Sequence, residues 1–280
     1  MAVEVIHFTD PGCPWAWSAS PALSALQWRY GDQLSWRHVM IGLTETGDQY
    51  VDRGYTPLRM ARSNAGFRRF GMPLAAIPKP RMAGTSRACR AVVAVRLADP
   101  SREWAALRAL QVLQFLTGDA LDDDAAIARA VGDDVAAAID RPAVVEAYER
   151  DRAEARSAAG SPTEFQGKTA ASDGPVRYTA PSLILRAGDR VLEAGGFQSL
   201  AVYDVLLANL DTGLARRPAP EDPADALAAF PDGLYTAEVA AIYATSTASE
   251  TDAAAAEDAL LELVVQGRAR RDGDRWMPIL

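Results

Sequence analysis

A cysteine near the start of the chain carries the clearest chemical signal in this sequence. Cys13 stands between an apolar, β-branched run at residues 3–10 and a helix-like run that begins at Pro14. At a helix N-terminus, unpaired backbone N–H groups and the helix dipole stabilise an anion. A thiol placed there has a lowered pKa and is a stronger nucleophile at neutral pH. The pattern therefore predicts a reactive thiolate at Cys13.

Two neighbours of Cys13 argue against a complete redox centre. Ala16 occupies the position at which a redox pair would carry its second cysteine. The carboxylate of Asp10, if it lies close, would raise the pKa of the thiol. The alternative interpretation is that Cys13 is simply a small buried residue in the turn between the strand and the helix. The residues alone leave three outcomes open: a redox pair that has lost half its chemistry, a one-thiol enzyme, or a shape kept for binding.

The other candidate residues give weaker signals. Cys89 lies on a helix-like run beside Val92 and Val93, so we expect it to pack in the core, with a role as second thiol left open. His7 and His38 lie on predicted strands, and we expect both to be structural. Two cysteines and two distant histidines do not have the spacing of zinc ligands. We therefore expect no metal and no bound cofactor.

The bulk composition excludes several classes of protein. The chain has 280 residues, a formal net charge of −8 and a pI near 4.9. This balance argues against a general nucleic-acid-binding or membrane-surface protein. The sequence shows neither a secretory signal nor a long apolar span, and two cysteines make no disulfide framework. We expect a cytoplasmic protein.

The order of predicted elements indicates a small α/β domain interrupted by helices. A strand at 3–10, a helix from Pro14 that Pro21 must kink, and a strand at 34–44 form a β-α-β unit. The pattern is helical from about 57 to 160. A hairpin at 180–196 and an amphipathic helix complete the domain.

The C-terminal residues predict a second, smaller module. The stretch 216–225 is rich in proline and charge and is typical of a linker. Three helices follow, the last at 250–267, and then a hairpin turns at Asp272-Gly273. This order resembles a winged helix-turn-helix. Acidic residues outnumber basic ones there, so we expect packing or dimerisation rather than DNA binding. The predicted boundaries are 1–215 for the main domain, with an insertion at about 50–160, then 216–224 for the linker and 225–280 for the module.

The segments HFTDPGCPWAWS and YTAPSLIL together resemble the DsbA-like branch of the thioredoxin superfamily, and more narrowly its cytoplasmic FrnE-like proteins. The resemblance implies a thioredoxin-like fold with a large helical insertion, a Cys-x-x-Cys at the first helix and a cis-proline loop that faces it. Cys13 then takes the place of the attacking cysteine and Pro181 that of the cis-proline. Ala16 departs from the pattern. The implied substrate contacts are Pro14, Trp15, Ala16, Trp17, Ala180 and Pro181.

The departure at Ala16 shapes the expected function. Without a second thiol, Cys13 can attack a disulfide, but release of the mixed disulfide needs an external thiol. We therefore expect monothiol disulfide exchange or isomerisation, with a low-molecular-weight thiol as co-substrate and a thiol- or disulfide-bearing protein or small molecule as partner. The alternatives are a non-catalytic adaptor and a kappa-like glutathione-type transferase or isomerase. We expect no nucleic-acid or membrane partner. The sequence leaves open whether the protein forms a homodimer.

Overall fold

The computed structural model describes residues 2–244 and 251–279. Its strands are β1 (Val3–Thr9), β2 (Leu34–Met40), β3 (Thr169–Ala170), β4 (Arg177–Tyr178), β5 (Ser182–Ala187), β6 (Arg190–Ala194), β7 (Leu234–Tyr235), β8 (Ala269–Asp272) and β9 (Arg275–Pro278). The central sheet has the order β2-β1-β5-β6, with β1 parallel to β2 and the other pairs antiparallel. This is the predicted thioredoxin-like arrangement, since a β-α-β unit pairs with a later hairpin.

Helices flank this sheet and form the insertion. They are α1 (Pro14–Ser18), α2 (Ser20–Tyr30), α3 (Asp48–Asp52), α4 (Pro57–Phe67), α5 (Ser86–Ala98), α6 (Glu103–Leu116), α7 (Asp124–Val131), α8 (Asp133–Ala136), α9 (Pro142–Ala155), α10 (Pro162–Phe165), α11 (Leu200–Leu210), α12 (Pro223–Ala229), α13 (Thr236–Tyr243) and α14 (Ala253–Val265). Helices α3 to α10 separate β2 from β5, which confirms the helical insertion. None of the helices described is long and apolar enough to cross a membrane.

Prolines account for two departures from the predicted elements. The helix expected from Pro14 to residue 30 is divided at Ala19, because Pro21 is accommodated in the first turn of α2 rather than in a helix interior. Residues 71–85, within the predicted helical block, have no regular secondary structure. That stretch contains Pro73, Pro78 and Pro80, whose missing N–H groups prevent a continuous helix.

The C-terminal module shares its core with the main domain. Ala25 and Trp28 of α2 pack in one cluster with Val239 and Trp276 of the module. The chain predicted as a linker is also held, because the Trp28 indole donates to the Pro218 carbonyl at 2.8 Å. The module consists of α12, β7, α13, α14 and the β8–β9 hairpin, with sheet order β7-β9-β8. The winged-helix assignment and the domain boundaries stay predictions. Glu250, expected to begin the third helix, lies outside the described residues.

A buried ion pair connects the module to the insertion. Glu238 of α13 is fully buried and accepts two hydrogen bonds from the Arg108 guanidinium of α6. It also accepts from the Ser24 hydroxyl at 2.9 Å and from the Tyr235 backbone at 2.8 Å. The Arg108 guanidinium lies 5.4 Å from the ring centroid of Trp17 and 5.0 Å from that of Tyr235. The insertion, α2 and the module therefore meet at one carboxylate.

Removing the Glu238 charge should destabilise the whole protein. We expect Glu238→Gln to lower the free energy of unfolding by about 3–5 kcal/mol, because the Arg108 charge would stay buried without its partner. Chemical denaturation measures this value. The matched control is Glu257→Gln, whose exposed pair with Arg271 spans 3.6 Å and should contribute less than about 1 kcal/mol. An equal loss of unfolding free energy in the two variants would show that the Arg108–Glu238 pair does not stabilise the contact between the insertion and the C-terminal module.

Candidate functional site: a buried thiol facing a cis-proline loop

The structure brings the two predicted halves of the site together. Cys13 is the N-cap residue of α1, and its thiol donates a hydrogen bond to the Ala180 carbonyl at 3.2 Å. The Ala180–Pro181 peptide bond is cis. Cys13, Ala16 and Ala180 lie in one buried cluster. Residues 13 and 180, far apart in sequence, therefore form one site at the N-terminus of the first helix.

The prediction of a low thiol pKa at Cys13 is wrong. Its side chain is only 6% exposed, and burial raises the pKa of the thiol to about 12, with the Asp10 carboxylate adding to the rise. Hydrogen bonds from the backbone N–H groups of Ala16 and Trp15, and the charge of Arg177, act to lower that pKa. Desolvation exceeds the stabilising effect of the helix N-terminus, so the resting sulfur is a neutral thiol.

Asp10 fixes the loop that carries Cys13. Its carboxylate is fully buried and accepts hydrogen bonds from the Gly12 and Leu43 backbones at 2.8 and 2.9 Å. It also accepts from the Thr85 hydroxyl at 2.9 Å and the Cys89 thiol at 3.5 Å. Burial raises the pKa of Asp10, and these hydrogen bonds oppose the rise. One carboxyl group thus joins the end of β1, the loop after β2 and the start of α5.

Cys89 lies deeper in the protein than Cys13. Both cysteines are free, and Cys89 is fully buried in the core of the insertion beside Val92 and Val93. Its thiol donates to Asp10, and burial followed by the Asp10 charge raises its pKa well above the usual value. This burial disfavours Cys89 as a second thiol, because its sulfur is less accessible than that of Cys13.

Trp17 also has a different place from the one expected. We predicted a substrate contact, but the side chain is fully buried and its indole donates to the Pro73 carbonyl at 2.8 Å. Its ring packs on Phe115 and Tyr235, 5.9 and 5.3 Å between centroids. Trp17 therefore anchors α1 in the core, and the prediction for this residue is corrected. Ala16 is buried as well, at 2% exposure.

Trp15 and three phenylalanines form an apolar surface beside the thiol, here called the aromatic rim. Trp15 is 38% exposed. Its ring centroid lies 4.8 Å from Phe67, 5.3 Å from Phe70 and 5.4 Å from Phe197. Pro14 beside it is half-buried. The sequence predicted Trp15 but missed the three phenylalanines, because they come from segments far from Cys13 and carry no motif.

Arg177 is the charged member of the site that the sequence did not reveal. It is buried and acts on Cys13 through its positive charge. Its guanidinium donates to the Tyr178 carbonyl and to the Ser172 hydroxyl, each at 3.1 Å. Burial lowers its pKa, and the nearby Asp173 carboxylate opposes that change. A single arginine on a two-residue strand gives no signal that reasoning from the sequence could use.

The histidines do not belong to this site. His7 and His38 pack against each other at 5.4 Å between ring centroids and against Trp104. Burial, with a smaller effect of His38, lowers the pKa of His7 well below its usual value. Within the part of the chain that the structure describes, no group of three His, Cys, Asp or Glu side chains could hold a metal ion.

Comparison with known proteins agrees with this geometry. The family described as the DSBA-like thioredoxin domain matches residues 4–178, well over half of the chain. The chain belongs to this family. The DSBA-like match begins in β1 and ends in β4, so it includes Cys13, the insertion and Arg177, and stops just before Ala180. No curated protein sequence matches the chain significantly.

Solved structures show the same fold at low sequence identity. A candidate protein disulfide isomerase from Nitrosomonas europaea is 15% identical, with a TM-score of 0.57; the match covers 75% of this chain and 97% of that one. A candidate DsbA oxidoreductase from Streptomyces coelicolor is 16% identical, with a TM-score of 0.54; the match covers 78% and 94%. This DSBA-like chain therefore shares its fold with both.

The raised thiol pKa predicts a distinctive pH dependence. The neutral thiol does not react with iodoacetamide, so alkylation of Cys13 in the native protein should accelerate about tenfold per pH unit from pH 7 to 10. No plateau should appear in this range. Mass spectrometry of the peptide that contains Cys13 measures the rate separately from Cys89. A rate that is already maximal at neutral pH would contradict the raised pKa.

Proposed function

We propose that this protein catalyses thiol–disulfide exchange through Cys13 alone. The observation that carries the proposal is the hydrogen bond from the Cys13 thiol to the Ala180 carbonyl, next to the cis Ala180–Pro181 peptide bond. Residue 16, where a second thiol would lie, is an alanine. Membership of the DSBA-like family supports the class of reaction. The absence of a sulfur at residue 16 supports a one-thiol cycle.

The proposed cycle has two exchanges. The Cys13 thiolate attacks one sulfur of a substrate disulfide, the S–S bond breaks, and the other substrate sulfur leaves as a thiolate that takes up a proton. The substrate then stays joined to Cys13 as a mixed disulfide. An external low-molecular-weight thiolate attacks the substrate sulfur and releases Cys13, which regains its proton. In the net reaction, the external thiol replaces one half of the substrate disulfide, and the half that it replaces is released as a thiol.

The buried thiol sets the slow step of this cycle. Cys13 must first lose its proton to solvent, and a pKa of about 12 makes its thiolate scarce at neutral pH. The charge of Arg177 and the backbone N–H groups of Trp15 and Ala16 then stabilise the anion. A thiolate of high basicity is a strong nucleophile once it forms. We therefore expect exchange to accelerate as the pH rises.

The surroundings of Cys13 support a substrate with an apolar segment. The aromatic rim offers a partly exposed apolar surface next to the thiol. Ala180 precedes β5 and offers backbone groups to an extended chain, a mode of recognition based on strand addition. We propose Pro14, Trp15, Ala180 and Pro181 as the contacts. Two free, buried cysteines also suit a reducing compartment, and we propose the cytoplasm.

Formation of an adduct tests the proposed role of Cys13. Incubation with oxidised glutathione at pH 9 should attach one glutathione to the wild type and to Cys89→Ala, as seen by intact mass spectrometry. Cys13→Ser should form no adduct, because Cys89 is buried on Asp10. An adduct that forms on Cys13→Ser, or none on the wild type at any pH, would remove the proposal.

A second test addresses Arg177. Arg177→Gln removes the positive charge that lowers the pKa of Cys13, so adduct formation at a fixed pH should slow by about tenfold. Arg186→Gln is the matched control, because Arg186 is exposed on β5 of the central sheet and is not among the groups that act on Cys13. Equal rates for the two variants would mean that Arg177 plays no electrostatic role.

The burial of the thiol also favours a second candidate, a non-catalytic binding groove. A thiol that stays neutral and lacks a resolving partner suits a site that holds an extended apolar peptide without chemistry. In this case the wild type and Cys13→Ser would bind such a peptide equally, and neither would form a glutathione adduct. Loss of peptide binding in Cys13→Ser would exclude this candidate.

A further inference from the structure

A cavity of about 450 Å³ lies away from the thiol site, where α2, the start of α6 and the loop before β7 meet. Its walls include Trp28, Trp36, Trp104, Arg108, Arg217 and Phe230. None of the residues proposed to contact the substrate of Cys13 lines it. A volume of this order is typical of small-molecule sites, which are mostly apolar and carry a few polar groups.

Three indole rings give the cavity its aromatic character. Trp36 and Trp104 meet edge to face, with 5.3 Å between ring centroids and 80° between ring planes. The buried His7 packs behind both rings, 6.4 and 6.2 Å between centroids. Trp28 is nearly buried and its indole N–H is fixed on Pro218. The rings are therefore held in place before a ligand enters, which suits a planar partner.

Arg217 supplies a cation at the wall of this cavity. Its guanidinium lies over the Trp28 ring, 4.5 Å from the centroid. Among the described residues it forms no ion pair, whereas the other cavity arginine, Arg108, is paired with Glu238. An exposed arginine stacked on an aromatic wall is well placed to receive an anionic group.

Two of the tryptophans that line the cavity, Trp36 and Trp104, donate no indole hydrogen bond among the described residues. Within residues 2–244 and 251–279, the tryptophans whose indole N–H groups donate hydrogen bonds are Trp17, Trp28 and Trp276. The N–H groups of Trp36 and Trp104 are thus available to an acceptor. An aromatic ligand that carries oxygen acceptors could stack on the indole rings and accept hydrogen bonds from their N–H groups.

Two exposed carboxylates limit how much negative charge the cavity can accept. Asp32 and Asp232 also line it. Their charges repel a polyanion such as a nucleotide triphosphate much more strongly than a monoanion, whose one charge Arg217 can pair with directly.

We propose that this cavity binds a planar aromatic molecule with a single carboxylate. The ring lies among Trp28, Trp36 and Trp104, and the carboxylate pairs with Arg217. The site is separate from the chemistry of Cys13, and its occupancy does not depend on that chemistry.

Paired probes test the proposal by isothermal titration calorimetry with the full chain. In the wild type, 2-naphthoate should bind at a single site about tenfold more tightly than the neutral 2-naphthamide, the difference expected from one charge-assisted hydrogen bond. Arg217→Gln should weaken binding of 2-naphthoate about tenfold and leave 2-naphthamide unchanged. Arg150→Gln, an exposed helical arginine elsewhere, should change neither.

Any result of the following three kinds would overturn the proposal. The first is no binding of 2-naphthoate up to about 1 mM. The second is equal affinity for the two probes, or an unchanged affinity in Arg217→Gln. The third is loss of 2-naphthoate binding in Cys13→Ser, which would place the probe in the thiol groove instead. Retained binding in Cys13→Ser supports the separate cavity even if Cys13 forms no adducts.

Discussion

The hydrogen bonds of the buried Asp10 carboxylate are the constraint on which the site depends. They hold the turn before Cys13, the loop after β2 and the N-terminus of α5 against one another. The same carboxylate raises the pKa of the Cys13 thiol. Burial is the larger reason why this thiol at a helix N-terminus rests in its neutral form, and the carboxylate that builds the site adds to the effect.

A second set of contacts holds the site helix from below. Trp17 follows the thiol motif directly and packs on Phe115 of the insertion and Tyr235 of the C-terminal module. The Arg108 guanidinium, paired with Glu238, lies over the Trp17 and Tyr235 rings. The C-terminal module is thus part of the support of α1 rather than a tethered appendage. The large insertion and the module therefore both help to hold the helix that carries the thiol at its N-terminus.

Local patterns in the sequence were enough to predict the main elements of the fold. The β-α-β opening, the helical insertion and the hairpin at β5–β6 follow from strand and turn signals. The pairing of Cys13 with Pro181 followed from a family resemblance. The pKa of the thiol could not be predicted, because it depends on how completely distant segments bury the sulfur. Trp17, Arg177 and the aromatic rim were misplaced or missed for the same reason: tertiary packing decides which side chains are buried or meet.

The central claim is that Cys13 has no internal partner to release a mixed disulfide. The most direct measurement follows the glutathione adduct of Cys13 over time by intact mass, in the wild type and in Ala16→Cys, without added thiol. We predict that the wild-type adduct persists, and that the Ala16→Cys adduct collapses to an intramolecular disulfide with release of glutathione. A wild-type adduct that resolves by itself into a Cys13–Cys89 disulfide would contradict the account.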